Sequence, residues 1–346
     1  MAVKLKPLNE QTIVLTGATS GIGLVTARKA AERGARLVLA ARSEDSLQQL
    51  THEITDGGGS AVYVVADVGN RGDVQTIART ATDTFGGCDT WINDAGVSIY
   101  GEIETTPVEE MRRLFDTNFW GVVYGSLEAV TLMRERGGAL INIGSVLSER
   151  SVLLQGAYSA SKHAVKGFTD ALRMELEASG APISVTLIKP GAIDTPYPRH
   201  AKNYMDAEAQ LPPPVYAPDL VAEAILHCAE HPRRAVTVGG GGKAFEVMEQ
   251  YAPGMTDKVM ALMFGKMQQA DSPPRPREQH GLDKPAGSLQ ERGDAPGHTI
   301  ESSPYTQITL HPIRTGAVVA GASITAAALW RASQNGLGQR LKARSR

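Results

Sequence analysis

Seven short, continuously apolar runs recur along the first 240 residues of this 346-residue chain, and the stretches between them are helix-length. The runs occupy 12–16, 36–40, 61–66, 90–93, 139–144, 183–188 and 235–238. They do not alternate apolar with polar, which is how strands read when both faces of a sheet are covered. Between them lie helical patterns at 22–33, 44–56, 71–85, 107–136, 157–179 and 218–230. That rhythm requires βαβ units, so the expected fold class is α/β, a doubly wound parallel sheet of about seven strands.

Residues 243–268 read as a further helical region broken at Pro253-Gly254, which sets the first domain at 1–268. The next segment, 269–312, turns rich in Pro, Gly, Ser and charge, most clearly at 272–277, and is expected to be a flexible linker. Charge changes sign at the same place: residues 271–346 carry a net +4, residues 1–270 a net −6. The last segment, 313–346, is expected to be an apolar helix with a basic tail. Its residues 315–330 are uncharged and would span about 24 Å as a helix, short of a hydrocarbon core of about 30 Å. Arg331, Arg340, Lys342, Arg344 and Arg346 follow it and would hold the tail on the enzyme's own side of a membrane. A docking helix on a membrane or partner, a true span and a loosely ordered tail all remain open.

A formal charge of −2 with 21% charged residues excludes a nucleic-acid platform. Cys88 and Cys228 make neither a disulfide framework nor a metal spacing, so buried thiols and no metal site are expected. The N-terminus has no apolar signal region, and a cytoplasmic setting is expected.

Directly after the first strand comes Thr16-Gly17-Ala18-Thr19-Ser20-Gly21-Ile22-Gly23, and a helical pattern follows. Glycines there permit positive φ and a close approach of backbone to a pyrophosphate, while the helix aims free N–H groups at it. In this position the cluster makes the fold Rossmann-type, with Gly17, Thr19, Ser20, Gly21, Ile22 and Gly23 as cofactor-binding residues. A ligand-free packing turn is the bland alternative. A second run, 239–243, fails as a phosphate loop: Ala244 stands where Ser or Thr is needed and Thr237 where the first glycine belongs.

The second strand ends at Leu39-Ala40-Ala41-Arg42-Ser43, without the acid that would hold ribose 2′-hydroxyls. Arg42 offers a planar cation suited to a 2′-phosphate, so NADP is expected over NAD. A plain surface arginine is the alternative.

Tyr158 and Lys162 stand four apart, on one face of the 157–179 helix. An ammonium and an oxidised nicotinamide nearby would favour a phenolate and lower the tyrosine's pKa. Ser145, at a strand end thirteen residues earlier, is placed to hold a substrate carbonyl oxygen. Asn118 lies inside a helical stretch, where an amide can open the backbone ladder. Each motif alone is weak; their order on the right elements is not.

With these residues in place, the chain resembles the short-chain dehydrogenase/reductase family, in its single-domain branch of about 250 residues. The resemblance covers roughly residues 8–240. It implies adenine contacts at Asp67 and Val68 and backbone packing on the cofactor at Asn93, Ala95 and Gly96. It also implies nicotinamide contacts at Pro190, Gly191, Ile193 and Thr195, and a proton-relaying tetrad of Asn118, Ser145, Tyr158 and Lys162. Dimerisation through the two long helices flanking Ser145 is implied too. Two departures stand out: Asp94 replaces the second Asn of the Asn-Asn-Ala-Gly motif, and a typical member lacks everything beyond about 265.

The expected function is hydride transfer between NADP(H) and a carbonyl or secondary alcohol. A lid at 193–218 holding Tyr197, Tyr204, Met205 and Leu211 points to a hydrophobic small-molecule substrate, unless the loop merely packs on its own domain. The alternatives are a cofactor-binding scaffold or sensor docked through its C-terminal helix, and enoyl reduction on the same fold.

Overall fold

The computed structural model describes residues 3–241, 248, 251–293 and 297–310. Its centre is β1 (Thr12–Thr16), buried along its whole length. Around it stand β2 (Arg36–Ala41), β3 (Ser60–Val65), β4 (Thr90–Asn93), β5 (Gly138–Ile143), β6 (Ile183–Pro190) and β7 (Ala235–Val238). All pair in parallel, in the order β3-β2-β1-β4-β5-β6-β7. The seven expected strands are thus present, and the sheet is the one the apolar runs called for.

The helices follow the same pattern: α1 (Gly21–Glu32), α2 (Glu44–Asp56), α3 (Arg71–Phe85), α4 (Val108–Phe115), α5 (Gly121–Met133), α6 (Gly156–Ala178) and α7 (Pro218–Glu230). On one face Val74 and Ile77 of α3, Val130 and Met133 of α5 and Leu172 and Leu176 of α6 bury against Val14, Val38 and Leu140 of the sheet. On the other face α1 packs on α7. Strand order reverses between β1 and β4, and a parallel sheet opens a crevice beyond its carboxyl ends at such a point.

Between α4 and α5 the helix widens to a π-turn, Asp116–Trp120, where the ladder loosens around Asn118. Both cysteines are buried, and burial pushes each thiol up to about 12. Among the described residues no group of His, Cys, Asp or Glu is arranged to hold a metal ion, and no helix is long and apolar enough to cross a membrane. The expected apolar helix at 313–346, with its 315–330 segment, lies outside the described residues.

Of residues 269–312, expected to be a flexible linker, those described carry little regular structure up to Ser303, with Thr299–Ile300 their one strand there, and then form a short helix, Pro304–Leu310. The stretch up to Ser303 nonetheless runs along the body. Thr299–Ile300 pairs with Val215–Tyr216, which also pairs with Ala192–Ile193. Two compact units divide the chain, Met1–Thr306 and Gln307–Arg346, and the site described next belongs to the first.

Candidate active site

The crevice beyond β1 and β4 holds one cavity of about 330 Å³, running from the glycine turn to α6. Gly17 adopts φ +76°, and a Cβ there would stand 2.8 Å from the Ala95 nitrogen; Gly21 adopts φ +53° with Thr195 3.0 Å from a would-be Cβ. Side chains at either point would fill the cradle. Gly23 has a different task, because a Cβ there would collide with the Gly17 carbonyl, and it lets α1 sit tight beneath the turn.

The cavity brings together most of the expected residues. Its wall includes Thr19 to Ile22, Arg42, Asp67, Val68, Ala95, Gly96, Ser145, Tyr158, Lys162, Pro190, Gly191, Ile193 and Thr195. Gly23, Asn93 and Asn118 are not part of it. Asn93 instead accepts from Trp91 Nε1 at 2.8 Å and donates to Asn142 Oδ1 at 2.8 Å inside the core. Asn118 clamps the backbone of Val97, accepting from its N–H at 2.8 Å and donating to its carbonyl at 2.9 Å, and donates to Ser161 Oγ at 3.1 Å. Asp67 pairs with Arg113 and accepts from the Gly69 N–H at 2.9 Å.

The reactive side chains gather where β5 hands over to α6. Ser145 follows the strand and caps the short turn Val146–Ser148, its Oγ accepting from the Leu147 N–H at 3.0 Å. Tyr158 sits in the first turn of α6, where the positive end of a 23-residue helix favours negative charge. Lys162, one turn on, donates to the Ile143 carbonyl at 2.8 Å and lies 5.6 Å from the Tyr158 ring centre. Burial lowers the Lys162 ammonium to about 8, against the pull of Asp94.

The protein's own groups shift Tyr158 upward, whereas the sequence expectation of a lowered value counted an oxidised nicotinamide as well. Burial raises it to about 12, opposed by hydrogen bonds with Tyr197 and Ser145. Desolvation of a phenolate outweighs what its neighbours return, so Tyr158 by itself is an acid through the neutral range. That protonation state serves delivery of a proton to a carbonyl oxygen. Asp94 is raised by burial to about 7, opposed by Lys162 and by the Gly23 N–H.

One lining residue the lid reading named takes a more definite place, and one group escaped the sequence reading. Tyr197 places its hydroxyl 2.7 Å from Ser98 Oγ and 3.0 Å from Gln155 Oε1, with its ring edge-on to Tyr158. Met260, Phe264 and Gln268, from the helical stretch after Pro253, close the far side beside Leu211. Tyr197 and Leu211 belong to the expected lid, whereas the sequence around Met260, Phe264 and Gln268 offered no signal that it reaches the cleft.

Residues 11–205 match the family model described as short chain dehydrogenase. The uncharacterised oxidoreductase YxnA of Bacillus subtilis is 48% identical over 329 residues, 94% of this chain and 92% of its own. An uncharacterised oxidoreductase of Staphylococcus aureus is 34% identical over 227 residues, 65% of this chain and 94% of its own. Among solved structures, a short-chain dehydrogenase/reductase of Burkholderia phymatum in complex with NAD superposes with a TM-score of 0.66 at 25% identity, covering 72% of this chain and 96% of that one. An alcohol dehydrogenase of the archaeon Thermococcus sibiricus, complexed with 5-hydroxy-NADP, shares the fold at a TM-score of 0.58 and 24% identity, over 66% of this chain and 95% of that one. The chain belongs to the short-chain dehydrogenase/reductase family. It is an oxidoreductase of that kind, on a Rossmann-type fold.

Proposed function

We propose that this chain reduces a carbonyl, or oxidises the matching secondary alcohol, with NADP(H) as cofactor and Tyr158 as acid/base. The observation that carries it is a single cavity whose walls hold the glycine cradle and Arg42 at one end and Ser145, Tyr158 and Lys162 at the other. The cradle fits a dinucleotide, since the strained glycines leave its floor open to a pyrophosphate. Thr19, Ser20 and Ile22 would hold the phosphates over the floor that Gly17 and Gly21 keep open, Arg42 a 2′-phosphate, Asp67 and Val68 the adenine, and Lys162 the nicotinamide ribose. When bound, the nicotinamide supplies or takes the hydride.

The rest is done by side chains of this chain. Ser145 holds the substrate oxygen, Tyr158 passes its proton to that oxygen, and the Lys162 charge beside the ring stabilises the phenolate left behind. Tyr197 and Ser145 hydrogen-bond the same phenol and ease that step. Asn118 acts through Val97, whose position it fixes at the cavity edge. Leu211, Met260 and Phe264 give the far wall an apolar character, which supports a hydrophobic ketone or aldehyde as substrate.

The test is NADPH oxidation over a panel of hydrophobic ketones and aldehydes. Tyr158→Phe should lower turnover by roughly 10²–10⁴. Wild-type turnover in that variant would overturn the mechanism, and reduction of the C=C bond of an enone in place of its carbonyl would overturn the reaction. For the cofactor, Arg42→Ala should weaken NADP binding at least about tenfold more than NAD binding. Equal losses would remove the 2′-phosphate role.

A homodimer through α5 and α6 belongs to the same proposal. Trp120 at the end of the π-turn, Leu127 about two turns on in α5, and Met174 of α6 are half-exposed apolar side chains. Leu127→Glu with Met174→Glu should give a monomer by light scattering.

A further inference from the structure

The segment 281–291 lies across the mouth of the dinucleotide cleft, and most of its hydrogen bonds are made by main chain. At one rim the Gly281 N–H donates to the His200 carbonyl at 2.7 Å. Arg42 then donates to the Gly281 carbonyl and, at 3.0 Å, to that of Leu282. Ser46 Oγ donates to the Gly287 carbonyl at 3.2 Å. At the glycine turn the Leu289 N–H donates to the Thr19 carbonyl at 3.1 Å and the Gly21 N–H to the Gln290 carbonyl at 2.8 Å. An Arg28–Glu291 ion pair at 2.6 Å pins the other rim. Leu282 is fully buried among Val97, Leu114 and Tyr158. The cavity persists beneath, with Gly281 and Pro285 to Gly287 in its wall together with Arg42.

We propose that residues 281–291 are a strap that closes over the dinucleotide cleft, latched by Arg42, so that cofactor enters and leaves only when the strap lets go. The proposal rests on the reading of this cleft as the dinucleotide site. Main-chain bonds to both rims make a bridge, and a dinucleotide lying in the cleft beneath has no way past a bridge that is tied at both ends. Arg42 has five N–H donors and spends two on the strap, which leaves donors for a 2′-phosphate on its other side. One side chain thus ties the covering segment to the ligand it covers. The B. subtilis relative matches 94% of this chain, a span that must include the strap.

A reversible lock tests this. A Cβ at Gly287 would stand 3.0 Å from that of Ser43 and 2.7 Å from Thr19 Oγ1, so a rotation of the Thr19 hydroxyl and a small outward shift of the strap bring the pair to the roughly 3.5–4.5 Å a disulfide spans. Ser43→Cys with Gly287→Cys is therefore the variant, and the two native thiols are buried and do not compete. NADPH fluorescence follows binding and release, with no substrate present. Oxidation of the empty variant should slow association at least about tenfold relative to its reduced form, and oxidation with NADPH bound should slow release likewise, because only the open population exchanges. Equal rates in oxidised and reduced forms, or failure of the disulfide to form, would overturn the strap. If the wild type and the reduced variant both bind no dinucleotide, the functional reading falls, which is a separate outcome from equal rates.

Discussion

The catalytic wall and the strap over the cleft are built by opposite means. Ser145, Tyr158 and Lys162 hang from β5 and α6, whose backbones are satisfied by their own ladders and whose inner faces are buried. The strap has no ladder: its N–H and C=O groups find partners one at a time on His200, Arg42, Thr19 and Gly21. Elements of the first kind hold a reactive geometry rigidly. Segments of the second kind have few buried apolar contacts per residue and open at low cost. The molecule thus keeps its chemistry on the stiff part and entrusts access to the loose one.

The largest effect expected is on the stiff side. Lys162→Met should cut turnover by about 10²-fold or more, since the phenolate loses its charge partner. With Lys162 near 8, reduction should decline as pH rises through that value, while Tyr158 near 12 remains protonated. The decline should vanish in the Met variant; its persistence in the pH–rate profile would assign the titration elsewhere.

A pair of leucines tests the contrast in stability. Leu140 in β5 and Leu282 in the strap are both fully buried. Leu140→Ala should cost about 2–5 kcal/mol of global stability by denaturant unfolding. Leu282→Ala should cost well under half as much, yet raise hydrogen exchange across 281–291 selectively. Equal global losses would mean that the strap folds as part of the core.

The smallest effect concerns Asp94. Burial raises its carboxyl to about 7, far above the unfolded value of about 3.9, so the folded state binds the extra proton between those limits. Stability should therefore fall as pH rises from about 4 to 7, and the cost persists above 7. Asp94→Asn removes the titration. We expect it to gain about 1–2 kcal/mol at pH 8 and nothing near pH 4, read from unfolding at both values. An equal gain at both pH values would tie the effect to shape and not to charge.

Sequence by itself determined the sheet and the order of the chemistry along it. Continuous apolar runs have one stable use, strands covered on both faces, and the glycine turn, Ser145 and the Tyr158/Lys162 pair each sit at a fixed offset from such a run. Most of the wall followed from that. Tertiary structure alone decided the rest. It turned Asn93 and Asn118 inward to satisfy buried neighbours, because a carboxamide in the core must be bonded on both ends. It left Tyr158 a protonated phenol, raised by burial to about 12, since burial depends on what surrounds a phenol and not on what lies four residues away. It also drew 281–291 across the cleft, since a segment bonded through main-chain groups carries no side-chain pattern to announce where it goes.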